Sequence, residues 1–135
     1  KKMAFMNIAH VCVWVDDLDR TREFYIDGVG LSHSREFLGA ERGRSLYLSG
    51  ADGTEIQFKS SARRDVSNIN GIDHIAIEVT DTMASFERVV GLTDCPVIKQ
   101  PFRVNMTPSA KRESNALVAL IEDPDGYVLE LVQPD

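Results

Sequence analysis

One order of elements occurs twice in this chain, and that repeat restricts its fold more than any other feature. Residues 7–15, NIAHVCVWV, form an apolar β-branched run that reads as a strand buried on both faces. Residues 17–27, DLDRTREFYID, read as a helix. Acidic residues crowd its start, where the helix dipole favours negative charge, and Leu18, Thr21 and Tyr25 make a stripe at helical spacing with Phe24 beside it. Gly28 and Gly30 stop the helix, and one of them is expected in the left-handed region. Strand candidates follow at 31–38, 44–49 and 54–59, the last two joined by the tight turn Ala51-Asp52-Gly53.

The polar stretch 60–71 reads as a linker, and after it the order restarts. Residues 72–79, IDHIAIEV, repeat the first strand. Asp81 follows His74 by seven residues, as Asp17 follows His10. A helix is expected from Thr82 to Val90 with Met83, Phe86 and Val90 as its apolar stripe. A strand at 96–104, a polar loop at 105–114, a strand at 115–122, a DPDG turn at 123–126 and a strand at 127–132 complete the copy. The pattern is β-α-β-β-β, about 60 residues per copy, with modules at 7–59 and 72–133. One copy alone would leave a sheet face uncovered, so the two must pack together as a single α+β domain over residues 1–135.

Composition removes several partners. The 135 residues carry a net charge of −6 with no dominant basic run, which excludes a nucleic-acid backbone as the main partner. No apolar stretch approaches the roughly 20 residues that span a bilayer, so no membrane partner is expected. Cys12 and Cys95 form neither a disulfide framework nor a zinc knuckle, and the Lys1-Lys2 start leads into no signal-peptide core. The expected setting is reducing and cytoplasmic.

Alternation along the strands brings out four residues. His10 shares a face with Cys12 and Trp14, while Val11, Val13 and Val15 take the other. His74 shares a face with Ala76 and Glu78, opposite Ile75, Ile77 and Val79. Glu55 opposes Ile56 and Phe58 in the alternation, and Glu130 opposes Leu129 and Leu131. Each half therefore offers one His and one Glu on the face away from the aliphatic one. A carboxylate pointed into such a sheet is costly unless something pairs with it. Two imidazoles and two carboxylates around one divalent ion would satisfy all four residues. Singly, each has a plainer reading: a hydrogen-bonded strand His or a solvated strand Glu.

The stretches HVCVWVDDLDRTREFYIDGVGL at 10–31, DHIAIEVTD at 73–81 and EDPDGYVLELVQ at 122–133 resemble the vicinal oxygen chelate superfamily. That group includes glyoxalase I, methylmalonyl-CoA epimerase, extradiol dioxygenases, and fosfomycin and bleomycin resistance proteins. The resemblance implies paired β-α-β-β-β modules forming a cupped eight-stranded mixed sheet with helices outside and a metal in the cup. It implies a metal quartet of His10, Glu55, His74 and Glu130, as in glyoxalase I-like proteins. That ligand set suits Ni, Co, Zn, Mn or Fe and does not choose among them. The implied chemistry is a lyase or isomerase reaction on a small α-hydroxy carbonyl or hemithioacetal through an enediolate, with Glu130 as the first choice of base and Glu55 the second. A homodimer is the expected assembly, with the site closing either within one chain or across two.

Some positions depart from that pattern. Bacterial glyoxalase I has an Arg where this chain has Trp14 and, counted from Glu55, an Asn where it has Lys59, so the thiol partner need not be glutathione. The epimerases' extra carboxylate falls at Ser45 or a neighbour. Lys59, Arg103, Lys111 and Arg112 are candidates for an anionic substrate arm, although solvated surface charge is the simpler reading of each. Two rival functions keep the fold: an Fe(II) ring-cleaving dioxygenase, which Glu55 as a ligand would crowd, and a metal-free small-molecule-binding module.

Overall fold

A computed structural model describes residues 10–39, 43–60, 72, 74–108 and 113–135. Both modules appear, in the expected order. The first runs β1 (His10–Trp14), α1 (Leu18–Arg22), a π-helical continuation (Glu23–Val29), β2 (Ser32–Gly39), β3 (Gly43–Ser49) and β4 (Glu55–Ser60). The second runs β5 (Ile75–Glu78), α2 (Thr82–Leu92), β6 (Val97–Pro108), β7 (Glu113–Glu122) and β8 (Val128–Pro134). The eight strands divide into two four-stranded mixed sheets, ordered β1-β4-β3-β2 and β5-β8-β7-β6. In each sheet the first and last strands of the module pair in parallel, and the others pair antiparallel.

The same local chemistry starts both helices. Asp17 accepts hydrogen bonds from the Asp19 and Arg20 amides, and Asp81 accepts one from the Ala84 amide, so each N-cap lies seven residues after its histidine. The first helix ends at Gly30, whose φ of 101° lets its amide and that of Leu31 turn back to the Tyr25 carbonyl. The expected turns are present: Gly50 closes Ala51-Asp52-Gly53 with Thr54, and Asp123 closes the DPDG turn with Gly126 and Tyr127.

The core lies between the helices and the aliphatic faces of the sheets. Val13, Val15, Leu18, Phe24, Tyr25, Leu46, Leu48 and Phe58 from the first module meet Val89, Ala119, Ile121, Leu129 and Leu131 from the second. The expected stripe Leu18, Thr21, Tyr25 is buried in full. The stripe on α2 is rotated from expectation. Met83 and Val90 are exposed, Phe86 is half-buried, and Thr82 and Val89 are buried. Thr82 can be buried because its hydroxyl donates to the Leu117 carbonyl at 2.7 Å and its amide to Gln133 Oε1 at 2.9 Å.

Three further expectations change. β1 is buried only toward its C-terminal end, since it is an edge strand whose His10 side stays open; Val11 is 51% exposed. The polar loop of 105–114 is shorter, because β6 and β7 pair out to Pro108 and Glu113. The linker falls almost wholly outside the described residues, as do Lys111 and Arg112. Cys12 and Cys95 are free thiols. Among the described residues no helix is long and apolar enough to cross a membrane.

The modules are tied by a polar seam. The buried Tyr25 hydroxyl donates to Asp123 Oδ2 at 2.7 Å, and the Tyr127 hydroxyl donates to the Trp14 carbonyl at 2.7 Å. The Asp16 amide donates to Asp125 Oδ1 at 2.8 Å. Asp123 Oδ1 also accepts the Asp125 and Tyr127 amides, so one carboxylate shapes the turn and anchors the first helix. Burial pushes the Asp123 carboxyl above its ordinary range, against the pull of these hydrogen bonds, and pushes the Tyr25 phenol up as well.

Tyr25→Phe leaves a buried carboxylate oxygen without its donor and should cost about 1–3 kcal/mol, read from urea unfolding midpoints. Because the folded-state pKa of Asp123 is raised, its favourable contribution is complete below the ordinary carboxylate range and is lost as pH rises through the raised value. Wild type should therefore gain stability relative to Asp123→Asn when unfolding is measured at pH 4 instead of pH 7.

Candidate active site

The strand registers arrange the open face of the first sheet in three rungs. His10 lies opposite Glu55, then Ser49 and Ser32. Cys12 lies opposite Gln57, then Tyr47 and Arg35. Trp14 lies opposite Lys59, then Ser45 and Phe37. Side-chain contacts run within and between neighbouring rungs. The His10 and Tyr47 rings meet edge-on at 5.3 Å, Arg35 stacks over Tyr47 at 4.1 Å, and Gln57 donates to Ser45 Oγ at 3.1 Å.

Glu55 is not free on this face. Its side chain is only 15% exposed, Arg35 clamps both of its oxygens at 3.0 and 3.1 Å, and the Ser34 hydroxyl donates to Oε2. Sequence reading missed Arg35. A bulge between His33 and Arg35 shifts the alternation of β2 and turns Arg35 onto the His10 face.

In the second sheet Glu130 lies opposite Ala76, two residues beyond His74, with Leu120 and then Lys99 farther along the rung. His74 is exposed and Glu130 half-buried. No other described residue engages the Glu130 carboxylate. The two modules thus match at their histidines but not at their glutamates. Ala76 corresponds to Cys12, and the residue opposite Cys12 is Gln57. The turns agree, since Gln57 follows Gly53 by four residues as Glu130 follows Gly126.

Within one chain the four predicted residues fall into two pairs on separate sheets. His10 and Glu55 sit on one sheet, His74 and Glu130 on the other, and no three His, Cys, Asp or Glu among the described residues gather closely enough to hold a metal ion. A cavity of about 810 Å³ lies elsewhere, between the first helix and the DPDG turn, and includes Arg20, Phe24, Cys95 and Asp123. None of the four lines it.

The sequence profile of the Glyoxalase/Bleomycin resistance protein/Dioxygenase superfamily matches residues 7–131. The chain belongs to this superfamily. It is 30% identical over 137 residues to a probable lactoylglutathione lyase of Vibrio cholerae, covering 97% of this chain and 93% of that protein. It is 26% identical over 133 residues to a probable lactoylglutathione lyase of Synechocystis, covering 95% of each. Glyoxalase I from Zea mays superposes with a TM-score of 0.71 at 23% identity, over 93% of this chain and 46% of that one. The chain spans about half the length of the maize enzyme, and this likeness shows the shared fold.

Superfamily members bind a divalent metal. The donor types present here, imidazole and carboxylate, suit such an ion. Each pair offers these donor types in too small a number to hold an ion alone. Among the described residues His10 has no ion pair to share with a metal, whereas Glu55 already shares both oxygens with Arg35.

Proposed function

We propose that this chain is a divalent-metal-dependent, glyoxalase I-like lyase acting on a small α-hydroxy carbonyl compound or hemithioacetal, in a homodimer whose sites each take one module from either copy. The observation that carries this reading is Glu130. It is a half-buried carboxylate between Ala76 and Leu120, on the open face beside His74, with no described residue engaging it. Such a group, partly covered by apolar neighbours and engaged by no described side chain, is available to a ligand or a proton. The relatives named as lactoylglutathione lyases supply the reaction class.

His10, His74 and Glu130 would hold the ion, with Glu55 or Gln57 as the fourth donor. A bound ion would supply Lewis-acid polarisation of the substrate carbonyl. The Glu130 carboxylate takes the proton from the carbon beside that carbonyl and returns it to the neighbouring carbon, as general base and then general acid. Glu55, with both oxygens in the Arg35 clamp, is the weaker candidate for that step. The commitment of Glu55 also favours a second reading. With Glu55 held away, the donors are two His and one carboxylate, the set of non-haem Fe(II) oxygenases. Oxygen uptake with a catechol and Fe(II) at a rate exceeding hemithioacetal turnover would establish that reading over the first.

Glu130→Gln should keep metal affinity within about tenfold while abolishing exchange of the substrate carbon proton, followed by NMR in deuterated buffer. Full turnover in this variant would remove Glu130 as the base. Chelator-competition titrations of Glu55→Ala and Gln57→Ala should identify the fourth donor: a ligand's loss weakens binding by about tenfold or more, and the other substitution leaves it near wild type. Mixing unfolded His10→Ala and Glu130→Gln chains and refolding them should restore roughly a quarter of wild-type activity, because half of the dimers are mixed and each carries one intact site. No restoration would mean that the site closes within a chain.

A further inference from the structure

The third rung of the first sheet, Trp14–Lys59–Ser45–Phe37, takes no part in the chemistry above, yet it lies on the same face. Lys59 is half-buried, and its ammonium stands 5.3 Å over the Trp14 ring with no carboxylate partner among the described residues. The described arginines differ. Arg20, Arg22, Arg35, Arg44 and Arg103 each meet a carboxylate, and Arg88 bonds the Asp27 carbonyl. The other described lysine, Lys99, also lies over a ring, 4.0 Å from the Phe102 centroid and with no carboxylate partner among the described residues, but it stands on the second sheet. Beside it Ser45 is buried and accepts from Gln57, which orients its oxygen toward Gln57 and leaves its own hydrogen to donate. Phe37, 55% exposed, ends the rung with an apolar surface.

We infer that Trp14, Lys59 and Ser45 form an anion subsite, and that the substrate carries a carboxylate or phosphate that docks there. The inference rests on the reading of this face as the substrate face. Lys59 lies four residues along β4 from Glu55 and two from Gln57, about 13 Å and about 7 Å at strand spacing. The anionic group is thus held one short chain length from the reacting carbons. Lys59 and Ser45 supply charge and a hydroxyl donor, and Trp14 holds the lysine stem in place. Because no carboxylate among the described residues neutralises Lys59, the anion gains its attraction without displacing a described partner.

Trp14 is the single tryptophan of the chain, so its fluorescence reads this subsite directly. The full chain is titrated with inorganic phosphate, with 3-mercaptopropionate and with the uncharged 3-mercaptopropionamide. Saturable change is expected with phosphate or the carboxylate and not with the amide, and the tighter of the two anions identifies the substrate's group. Lys59→Met should weaken the anion at least about tenfold, and Lys59→Arg should retain it. Equal response to acid and amide, or unchanged affinity in Lys59→Met, overturns the subsite. Turnover of the methylglyoxal hemithioacetals of the same two thiols separates the two proposals. Anion binding without turnover of either hemithioacetal defeats the lyase reading and leaves the subsite standing. Turnover of both with equal KM in wild type and Lys59→Met defeats the subsite and leaves the lyase standing.

Discussion

The hydrogen bond from the Tyr25 hydroxyl to Asp123 sets the arrangement on which the rest depends. It joins the first helix to the turn that launches β8, and both groups are buried. Asp123 is also the acceptor that shapes that turn, so the start of β8 and the position of the first module are fixed by one carboxylate. The Tyr127 bond to the Trp14 carbonyl repeats the tie at the end of β1. With helices and aliphatic faces committed to this seam, the opposite faces of both sheets are left open. His10, Cys12, His74 and Ala76 are exposed there as a consequence.

That open face is divided in its chemistry. One end of the first sheet carries His10 and the clamped Glu55, the middle carries Gln57 with Tyr47 and Arg35, and the far end carries Lys59 over Trp14. The second sheet offers a more apolar surface in which Glu130 stands among Ala76, Leu120 and Val132. One sheet thus supplies most of the polar contacts and the other a single carboxylate in apolar surroundings. A reaction that needs both would need the two faces brought together.

Much of this was legible in the sequence because it is local. The alternation of β1 and β4, the acidic start of the first helix, the Tyr25 stripe and the two turns each depend on residues within a few positions of one another, and each appears as expected. The α2 stripe was misread because a buried Thr82 is paired by Leu117 and Gln133, far away in the chain. Arg35 was invisible for a related reason: its face depends on a bulge, and a bulge is settled by the partner strand.

The sequence by itself determined that there are two modules, that His10 and His74 are equivalent, and that Glu55, Gln57 and Glu130 point to the same side as the histidines. Alternation carries that much, because a side chain's face is set by its parity along the strand. It cannot carry more. A shift of two residues preserves the face, so alternation alone could not separate Glu55 from Gln57 as the counterpart of Glu130, although the spacing from the turn glycines Gly53 and Gly126 favours Gln57. The pairing of β1 with β4 and of β5 with β8 decided it, by setting Glu55 beside His10 and Glu130 two residues beyond His74. The tertiary structure also decided that His10 with Glu55 and His74 with Glu130 do not gather into one cluster within the chain, since the packing of helices and the Tyr25–Asp123 bond act between residues 98 positions apart.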